Sequence, residues 1–199
     1  AIRPGTGELI WHFQHVPGET IDMEVGFERI LADIEGTPTL LTVGKDGILW
    51  KIDRSTGEYI DLLDTMDQNI FDVDRNTGTL SYREDIANAG IGDTYTACPG
   101  IYGGHNWQSA TYDAGRHLLF LPVHQLCSDM TPREVDLGPG GGGYGADVAT
   151  YPMPGKEGLA GALLAIDVRT MEVQWRVEQP ALFLSGALST DGGVLFIGD

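Results

Sequence analysis

A short turn pattern recurs along this chain and constrains its fold more than any other feature. It runs apolar-apolar-Asp, two residues, Thr-Gly and then an apolar or aromatic return, most clearly at residues 50–57 and 71–78. Residues 4–11 keep the second half, residues 165–175 have Met in place of Gly, and residues 112–115 are a degenerate copy. In such a turn Asp bonds its own backbone, Gly takes a positive φ, and a downstream Trp packs on the neighbouring unit. Repeated hairpins of this kind indicate stacked sheets.

Short apolar segments bounded by Gly, Pro, Asp and Asn predict strands throughout the chain. The predicted strands are residues 9–14, 39–44, 48–53, 117–123, 162–168, 172–178 and 193–198. Residues 22–34 have apolar side chains at helical spacing, but Gly26 interrupts them, so this segment is either a helix or a strand entered through an irregular loop. An acidic all-β array with a Trp per unit predicts a β-propeller, and blades of about 45 residues make the chain about four blades.

The charge limits the partners that this chain can bind. A formal net charge of -17 and a pI near 4.4 argue against nucleic acid and anionic membranes, because phosphate binding needs clustered Lys and Arg. No apolar run approaches the roughly 20 residues that span a bilayer, so no transmembrane segment is expected. The acidity instead fits a soluble protein, with a basic protein as one kind of partner.

Length and cysteine usage bound the organisation. The 199 residues suffice for a buried core, and we predict one domain over residues 1–199. No signal peptide is visible and both ends fall within strand-turn patterns, so we expect an internal piece of a longer protein. Cys98 and Cys127 lie in separate segments, and the residues alone are satisfied by two buried thiols or by one disulfide.

Two acids mark the first candidate site. Asp22 and Glu24 follow a Pro-Gly turn with one residue between them, and in an extended chain both carboxylates would point to the same side. Two carboxylates so placed can hold a hard cation, or one can act as a base beside it. A solvated acidic loop is the alternative.

Ordered matches along the chain resemble one known family. The repeat at residues 165–175 and 4–11 resembles the tryptophan-docking motif of quinoprotein alcohol dehydrogenases, eight-bladed propellers that carry pyrroloquinoline quinone (PQQ). WHFQHVPGETIDME is similar to W-x-Y-Q-x-x-P-x-(D/E)-x-W-D-Y-(D/A), and VGKDGILWKIDRSTGE to (P/D)-(K/R)-N-G-x-x-Y-x-L-D-R-x-T-G. ACPGIYGGHNWQSATYD is similar to C-P-x-x-x-G-G-x-N-W-x-x-x-x-Y, and LPVHQLCSDM to the downstream segment with the second cysteine. The resemblance covers essentially the whole chain. It implies about four of eight blades, and oxidation of a primary alcohol to an aldehyde by hydride transfer to PQQ.

The resemblance also implies a role for each matched residue. Asp22 falls on the catalytic aspartate beside the metal, which takes the alcohol proton. Glu24 falls where lanthanide-using members carry an extra carboxylate, and because the family residue there is Asp, calcium and a lanthanide both stay open. Lys45 falls on the cation that reaches the quinone carbonyls, with an exposed turn lysine as the alternative. Asn106 and Trp107 match the pair that contacts the cofactor edge.

The family's compartment and partners follow in the same way. The resemblance implies a Cys98–Cys127 disulfide and hence the oxidising periplasm. It implies a small alcohol as substrate and a cytochrome c or a quinone as electron acceptor, and it is compatible with a homo-oligomer.

Two departures and one competing interpretation accompany the resemblance. Ile21 stands where the family has Trp, and Leu184 where methanol-oxidising members have Trp, so a roomier apolar pocket for a larger alcohol is a hypothesis. His105 is interpreted as a loop residue without chemistry. The competing interpretation is a non-catalytic propeller scaffold with the same repeats, although a scaffold has no need for Asp-x-Glu, Gly-Lys and Asn-Trp together.

Overall fold

The computed structural model describes residues 1–136, 138–140 and 143–199. Within these ranges the chain is all-β apart from one helical turn, so the all-β prediction is confirmed. The elements in chain order are β1 (Ile30–Ile34), β2 (Thr37–Thr42), β3 (Ile48–Asp53), β4 (Tyr59–Asp64), β5 (Phe71–Asp74), β6 (Thr79–Tyr82), α1 (Glu84–Ala87), β7 (Tyr95–Ala97), β8 (Thr111–Asp113), β9 (Leu118–His124), β10 (Leu126–Pro132), β11 (Ala146–Pro152), β12 (Gly161–Asp167), β13 (Glu172–Gln179), β14 (Leu188–Ser189) and β15 (Leu195–Phe196).

Among these strands the pairing is antiparallel and mostly between neighbours in sequence. One four-stranded sheet has the order β1-β2-β3-β4, and a second has the order β13-β12-β9-β8. A three-stranded sheet has the order β11-β10-β7, and β5-β6 and β14-β15 form two-stranded ribbons. Successive hairpins of this kind are what the repeated turn pattern predicts.

Strand β3, inside the sheet β1–β4, is buried on both faces. Leu49 on one face belongs to a core cluster that it shares with Ile166 of β12. Trp50, the next residue along β3, belongs to a second cluster on the other face, as alternation along a strand requires. Burial on both faces explains why β3 is an almost continuous apolar run. Its one charged interior residue, Lys51, is buried and donates from Nζ to the carbonyl of Val168 at 2.7 Å.

The turn after β3 has the predicted chemistry. Asp53 Oδ1 accepts the backbone N–H groups two and three residues on, at 2.7 and 3.2 Å, and Gly57, at φ 80°, donates to the Asp53 carbonyl at 2.8 Å. Trp11 packs so closely on Gly57 that an added Cβ would lie 2.6 Å from its ring, and its Nε1 donates to the carbonyl of Arg54 at 3.1 Å. The docked indole therefore fastens the N-terminal segment to this sheet.

Two further copies keep the turn with other residues. Tyr59 packs on Gly78, which has φ 69°, and its hydroxyl donates to the carbonyl of Arg75 at 2.8 Å. Met171 takes φ 56° where the other copies have Gly. Neither Trp nor Gly is therefore obligatory, although a left-handed Met is conformationally unfavourable.

Three predictions about secondary structure need correction. Residues 9–14 are not a strand, since the only ladder contact that the described residues make there is an isolated bridge from Ile2 to Leu9. The helix hypothesis for residues 22–34 is wrong and its alternative is confirmed, because an irregular loop leads into β1, which pairs with β2 in a tight hairpin. The strand predicted at 193–198 shrinks to β15.

Candidate functional site

The acid pair and Lys45 form one cluster beside the turn between β2 and β3. Lys45 Nζ lies 2.8 Å from Oδ2 of Asp22 and 3.1 Å from Oε1 of Glu24. The lysine side chain is 11% exposed, whereas the two carboxylates are 41% and 45% exposed. The ammonium is thus enclosed, and each carboxylate keeps enough open surface to meet a ligand.

The acids do not converge by the alternation of a strand. Asp22 has φ 71°, in the left-handed region, and the segment around it is irregular. Glu24 is fixed by its backbone, because its carbonyl accepts the N–H of Lys45 at 3.0 Å. Gly44 permits this approach, since a Cβ there would lie 2.5 Å from the same carbonyl oxygen. The expectation that both acids face one partner is met, but by tertiary contacts rather than by an extended backbone.

The electrostatics of the cluster favour a charged lysine. Burial lowers the pKa of Lys45, but the hydrogen bonds and charges of Asp22 and Glu24 outweigh burial, and the pKa is raised overall. One ammonium against two carboxylates leaves the cluster formally negative. Such a cluster can take up further positive charge.

Asp46, the residue after Lys45, is fully buried. Its Oδ1 accepts the N–H groups of Gly44 and Ile48, both at 3.2 Å, and its Oδ2 accepts the indole N–H of Trp50 at 2.7 Å. Burial raises the pKa of Asp46 to about 7, although these hydrogen bonds oppose the rise. This carboxyl group ties both ends of the Lys45 turn together.

The glycine segment, residues 103–104, packs against the turn that carries Lys45. Gly103 comes so close that an added Cβ would lie 2.4 Å from Cγ of Lys45, and the N–H of Gly104 donates to the Lys45 carbonyl at 2.9 Å. His105 follows and is completely buried, with Nδ1 2.9 Å from the Pro122 carbonyl oxygen and Nε2 3.5 Å from Oε1 of Glu28. His105 is therefore part of the support of the site, and its interpretation as a loop residue missed this.

Asn106 and Trp107 continue this segment, but their side chains make other contacts. Asn106 donates from Nδ2 to the carbonyl of Tyr102 at 3.2 Å, and its Oδ1 is buried without a hydrogen-bond partner among the described residues. Trp107 is 84% exposed and meets the ring of Phe27 edge-on at 5.3 Å. The pair thus follows directly on the segment that packs against the Lys45 turn, with one buried unpaired acceptor and one exposed aromatic ring.

The two cysteines form a disulfide, Cys98–Cys127. It joins the residue after β7 to β10, the strand with which β7 pairs through Ala97 and Ser128. The bond therefore closes one end of the three-stranded sheet, near the start of the glycine segment.

The positions that depart from the family pattern have different environments. Ile21 is buried and its carbonyl accepts the hydroxyl of Tyr144 at 3.0 Å. Leu184 is exposed. Tyr144 lies 123 residues from Ile21, so no local sequence pattern could have revealed this contact. The role of Asp46 does have a local signal, because an Asp-Gly pair after Lys45 indicates a turn in which the Asp side chain accepts backbone N–H groups.

Two properties of the described residues limit the chemistry of the site. No three His, Cys, Asp or Glu side chains in that part of the chain converge as a metal site would require. In the same residues, no helix has the length and apolarity to cross a bilayer. Asp22 and Glu24 therefore offer at most part of a metal shell.

Comparisons with known proteins cover the full chain. It is 30% identical over 214 residues to a quinohemoprotein alcohol dehydrogenase, ADH-IIG, of Pseudomonas putida, matching 100% of this chain and 30% of that protein. It is 28% identical to a lanthanide-dependent methanol dehydrogenase of Methylorubrum extorquens, with 100% and 35% covered, and 30% identical to a 1-butanol dehydrogenase (cytochrome c) of Thauera butanivorans, with 100% and 30% covered. No family model matches the chain. The chain spans about a third of the length of these relatives.

Solved structures agree with the sequence relatives. A europium-containing methanol dehydrogenase superposes with a TM-score of 0.90 at 25% identity, covering 99% of this chain and 35% of that one. The quinohemoprotein alcohol dehydrogenase from Comamonas testosteroni superposes with a TM-score of 0.86 at 26% identity, covering 99% and 31%. The homologues of this chain over its whole length and its structural neighbours are thus the same enzymes.

Proposed function

We propose that this chain carries the proton-accepting part of a PQQ-dependent alcohol dehydrogenase. Its whole length is homologous to about a third of quinohemoprotein alcohol dehydrogenases and methanol dehydrogenases. The observation that carries the proposal is the cluster of Asp22, Glu24 and Lys45, with the Asn106 segment packed beside it. The reaction is oxidation of a primary alcohol to an aldehyde, and PQQ when bound would accept the hydride.

Asp22 is the proposed base. Its carboxylate is partly open to solvent, so a substrate hydroxyl can approach it, while one of its oxygens is held by Lys45. A base must be held within hydrogen-bond reach of the proton that it takes. Lys45 supplies that hold and also places a positive charge beside the reaction, where negative charge on a reduced quinone would be stabilised.

The residues of this cluster suit a hard metal ion and the PQQ cofactor in part. Carboxylate oxygens suit hard cations such as Ca²⁺ or a lanthanide, and Asp22 and Glu24 already enclose one cation, the ammonium of Lys45. Asn106 lies in the segment that packs beside Lys45, and the exposed ring of Trp107 offers apolar contact to a cofactor. We propose these residues as the metal and cofactor contacts of this chain.

The setting of the enzyme is proposed on similar grounds. We propose one domain over residues 1–199 that forms about four blades of an eight-bladed propeller. The disulfide suits an oxidising compartment, which supports the periplasm. A cytochrome c named in one relative supports a cytochrome c as electron acceptor, and a quinone is the second candidate.

Asp22→Asn in the full-length protein, reconstituted with PQQ and either Ca²⁺ or La³⁺, tests the base. We expect dye-linked alcohol oxidation to fall by about 10²- to 10⁴-fold, because removal of a general base costs that much. Quinone absorbance should stay, since Asn keeps the shape of the side chain. Asp72→Asn, at an exposed position on β5, is the matched control and should leave the rate unchanged. A protein that binds no PQQ with either metal would sink the enzyme assignment in favour of a scaffold.

Glu24→Ala tests the choice of metal. We expect lanthanide-supported activity to fall about 10- to 100-fold, because loss of a residue that supports a bound metal typically costs that much. Calcium-supported activity should fall less. The physical reason is that a trivalent ion gains more from a second carboxylate. Glu58→Ala, at an exposed turn position, is the control. Equal losses with both metals would assign Glu24 to the Lys45 ion pair alone.

A further inference from the structure

The backbone at Asp22 is held in an uncommon conformation. Its φ of 71° lies in the left-handed region, which side chains with a Cβ disfavour. The residue is in no helix or strand, so no ladder of hydrogen bonds imposes this geometry. Asp adopts this region more readily than most residues, and contacts with distant parts of the chain can hold it there.

Ile21, the residue before Asp22, is anchored through both of the peptide groups that flank it. The N–H of Ile21 donates to Oε1 of Glu19 at 2.6 Å, and its carbonyl accepts the hydroxyl of Tyr144 at 3.0 Å. The Ile21 side chain is buried in the core cluster that contains Trp50. Since the Ile21 carbonyl lies in the peptide plane that joins Ile21 to Asp22, fixing that oxygen restricts rotation about φ of Asp22.

Tyr144 is itself well placed to act as an anchor. It lies two residues before β11, where the N–H of Arg133 donates to the Gly145 carbonyl at 2.9 Å and Arg133 Nη2 donates to the Tyr144 carbonyl at 3.2 Å. Burial raises the pKa of the Tyr144 phenol, and the charge of Asp22 raises it further. The hydroxyl therefore stays a neutral donor throughout the neutral pH range.

We propose that Tyr144 is a positioning residue, which holds the Ile21–Asp22 peptide plane and so aims the Asp22 carboxylate at its place beside Lys45. It does not touch the reacting atoms. A residue next to β11 thereby contacts the segment that contains Asp22 and fixes the orientation of the Asp22 carboxylate. The catalytic consequence rests on the proposed function, but the conformational one does not.

Hydrogen exchange tests the conformational part without cofactor or substrate. In Tyr144→Phe we expect the amides of Ile21 and Lys45, which bond to Glu19 and Glu24, to exchange about three- to tenfold faster, the range given by loss of one hydrogen bond. Tyr151→Phe is the matched control. It removes a phenol from β11 that donates to Asp129, and it should leave these amides unchanged. Wild-type exchange in Tyr144→Phe would overturn the proposal.

Kinetics on the PQQ- and metal-loaded full-length protein test the consequence for catalysis. We expect Tyr144→Phe to lower kcat by about 10- to 100-fold with KM and PQQ content unchanged, because a misaimed base slows the chemical step. A merely structural loss would instead lower PQQ content or the melting temperature. Unchanged kcat in an active enzyme would overturn the catalytic role. An inactive wild type would count against the proposed function, while the exchange comparison would still decide the anchor.

Discussion

Strand β3 begins and ends at an aspartate turn, and the two turns differ in what holds them. Asp53 at the end of the strand is partly exposed and accepts two N–H groups of its own turn. Asp46 at the start is fully buried and accepts two turn N–H groups together with the indole N–H of Trp50. The Asp53 turn receives the docked Trp11, whereas the Asp46 turn carries Lys45. The same residue type thus serves fold repetition at one end and the candidate site at the other.

The two carboxylates differ in how much their burial costs in stability. A solvated turn aspartate has water to share its charge, so it can recur wherever the repeat needs a turn. Burial of Asp46 carries a desolvation cost, and its three hydrogen-bond donors offset that cost only in part, because burial still raises the pKa of Asp46 to about 7. A position that tolerates such a cost is a candidate for function.

The largest expected effect is on the pH dependence of stability at Asp46. Its unfolded pKa is near 3.8 and its folded pKa about 7, so between these values the unfolded chain releases a proton that the folded chain retains. The contribution of Asp46 to stability therefore falls as pH rises from about 4 to 7. We expect the unfolding free energy of Asp46→Asn relative to wild type to rise by up to about 4 kcal/mol across this window.

Urea unfolding at pH 4, 5, 6, 7 and 8 measures this change. Asp53→Asn, at the other end of β3, is the matched control, and we expect a much smaller change because Asp53 is partly exposed to water. The difference between wild type and each variant removes the titration of all other groups. Equal slopes for the two variants would erase the contrast between the two turns.

The next effect is at Gly57, in the turn at the exposed end. Gly57→Ala forces a Cβ to within 2.6 Å of the Trp11 ring at a positive φ, so the indole must move. We expect a loss of about 3 kcal/mol in unfolding free energy. Gly92→Ala is the control, since Gly92 has φ 88° and open space around its Cβ position, and should cost about 1 kcal/mol. Equal losses would mean that Trp11 docking contributes nothing.

The same contrast explains what could be predicted from sequence. The Asp53 turn and strand β3 were predictable because Asp, Gly and a buried apolar run act within a few residues. The all-β class followed from repetition of that unit. By contrast, the strand expected at residues 9–14 is absent because this segment makes its contacts through Trp11 docking and core packing rather than a ladder.

At the site, sequence named the residues but not the reason that they meet. Asp22 and Glu24 were expected to align by strand alternation, yet a left-handed Asp22 and a backbone bond from Lys45 bring them together. Lys45 itself was predicted only through resemblance to a family, because turn chemistry alone favours an exposed lysine. Long-range partners such as Tyr144 leave no local signal. Their contribution becomes visible only when the chain is folded.

The smallest expected effect isolates the hydrogen bond in the docked turn. Trp11→Phe keeps an aromatic ring on Gly57 but removes the donor to the Arg54 carbonyl, and we expect a loss of about 1 kcal/mol in urea unfolding. Trp175→Phe is the control, because Trp175 occupies the matching place in its own repeat but is 40% exposed, and we expect at most about 0.5 kcal/mol. If both changes cost the same, the indole at the Asp53 end contributes by burial alone.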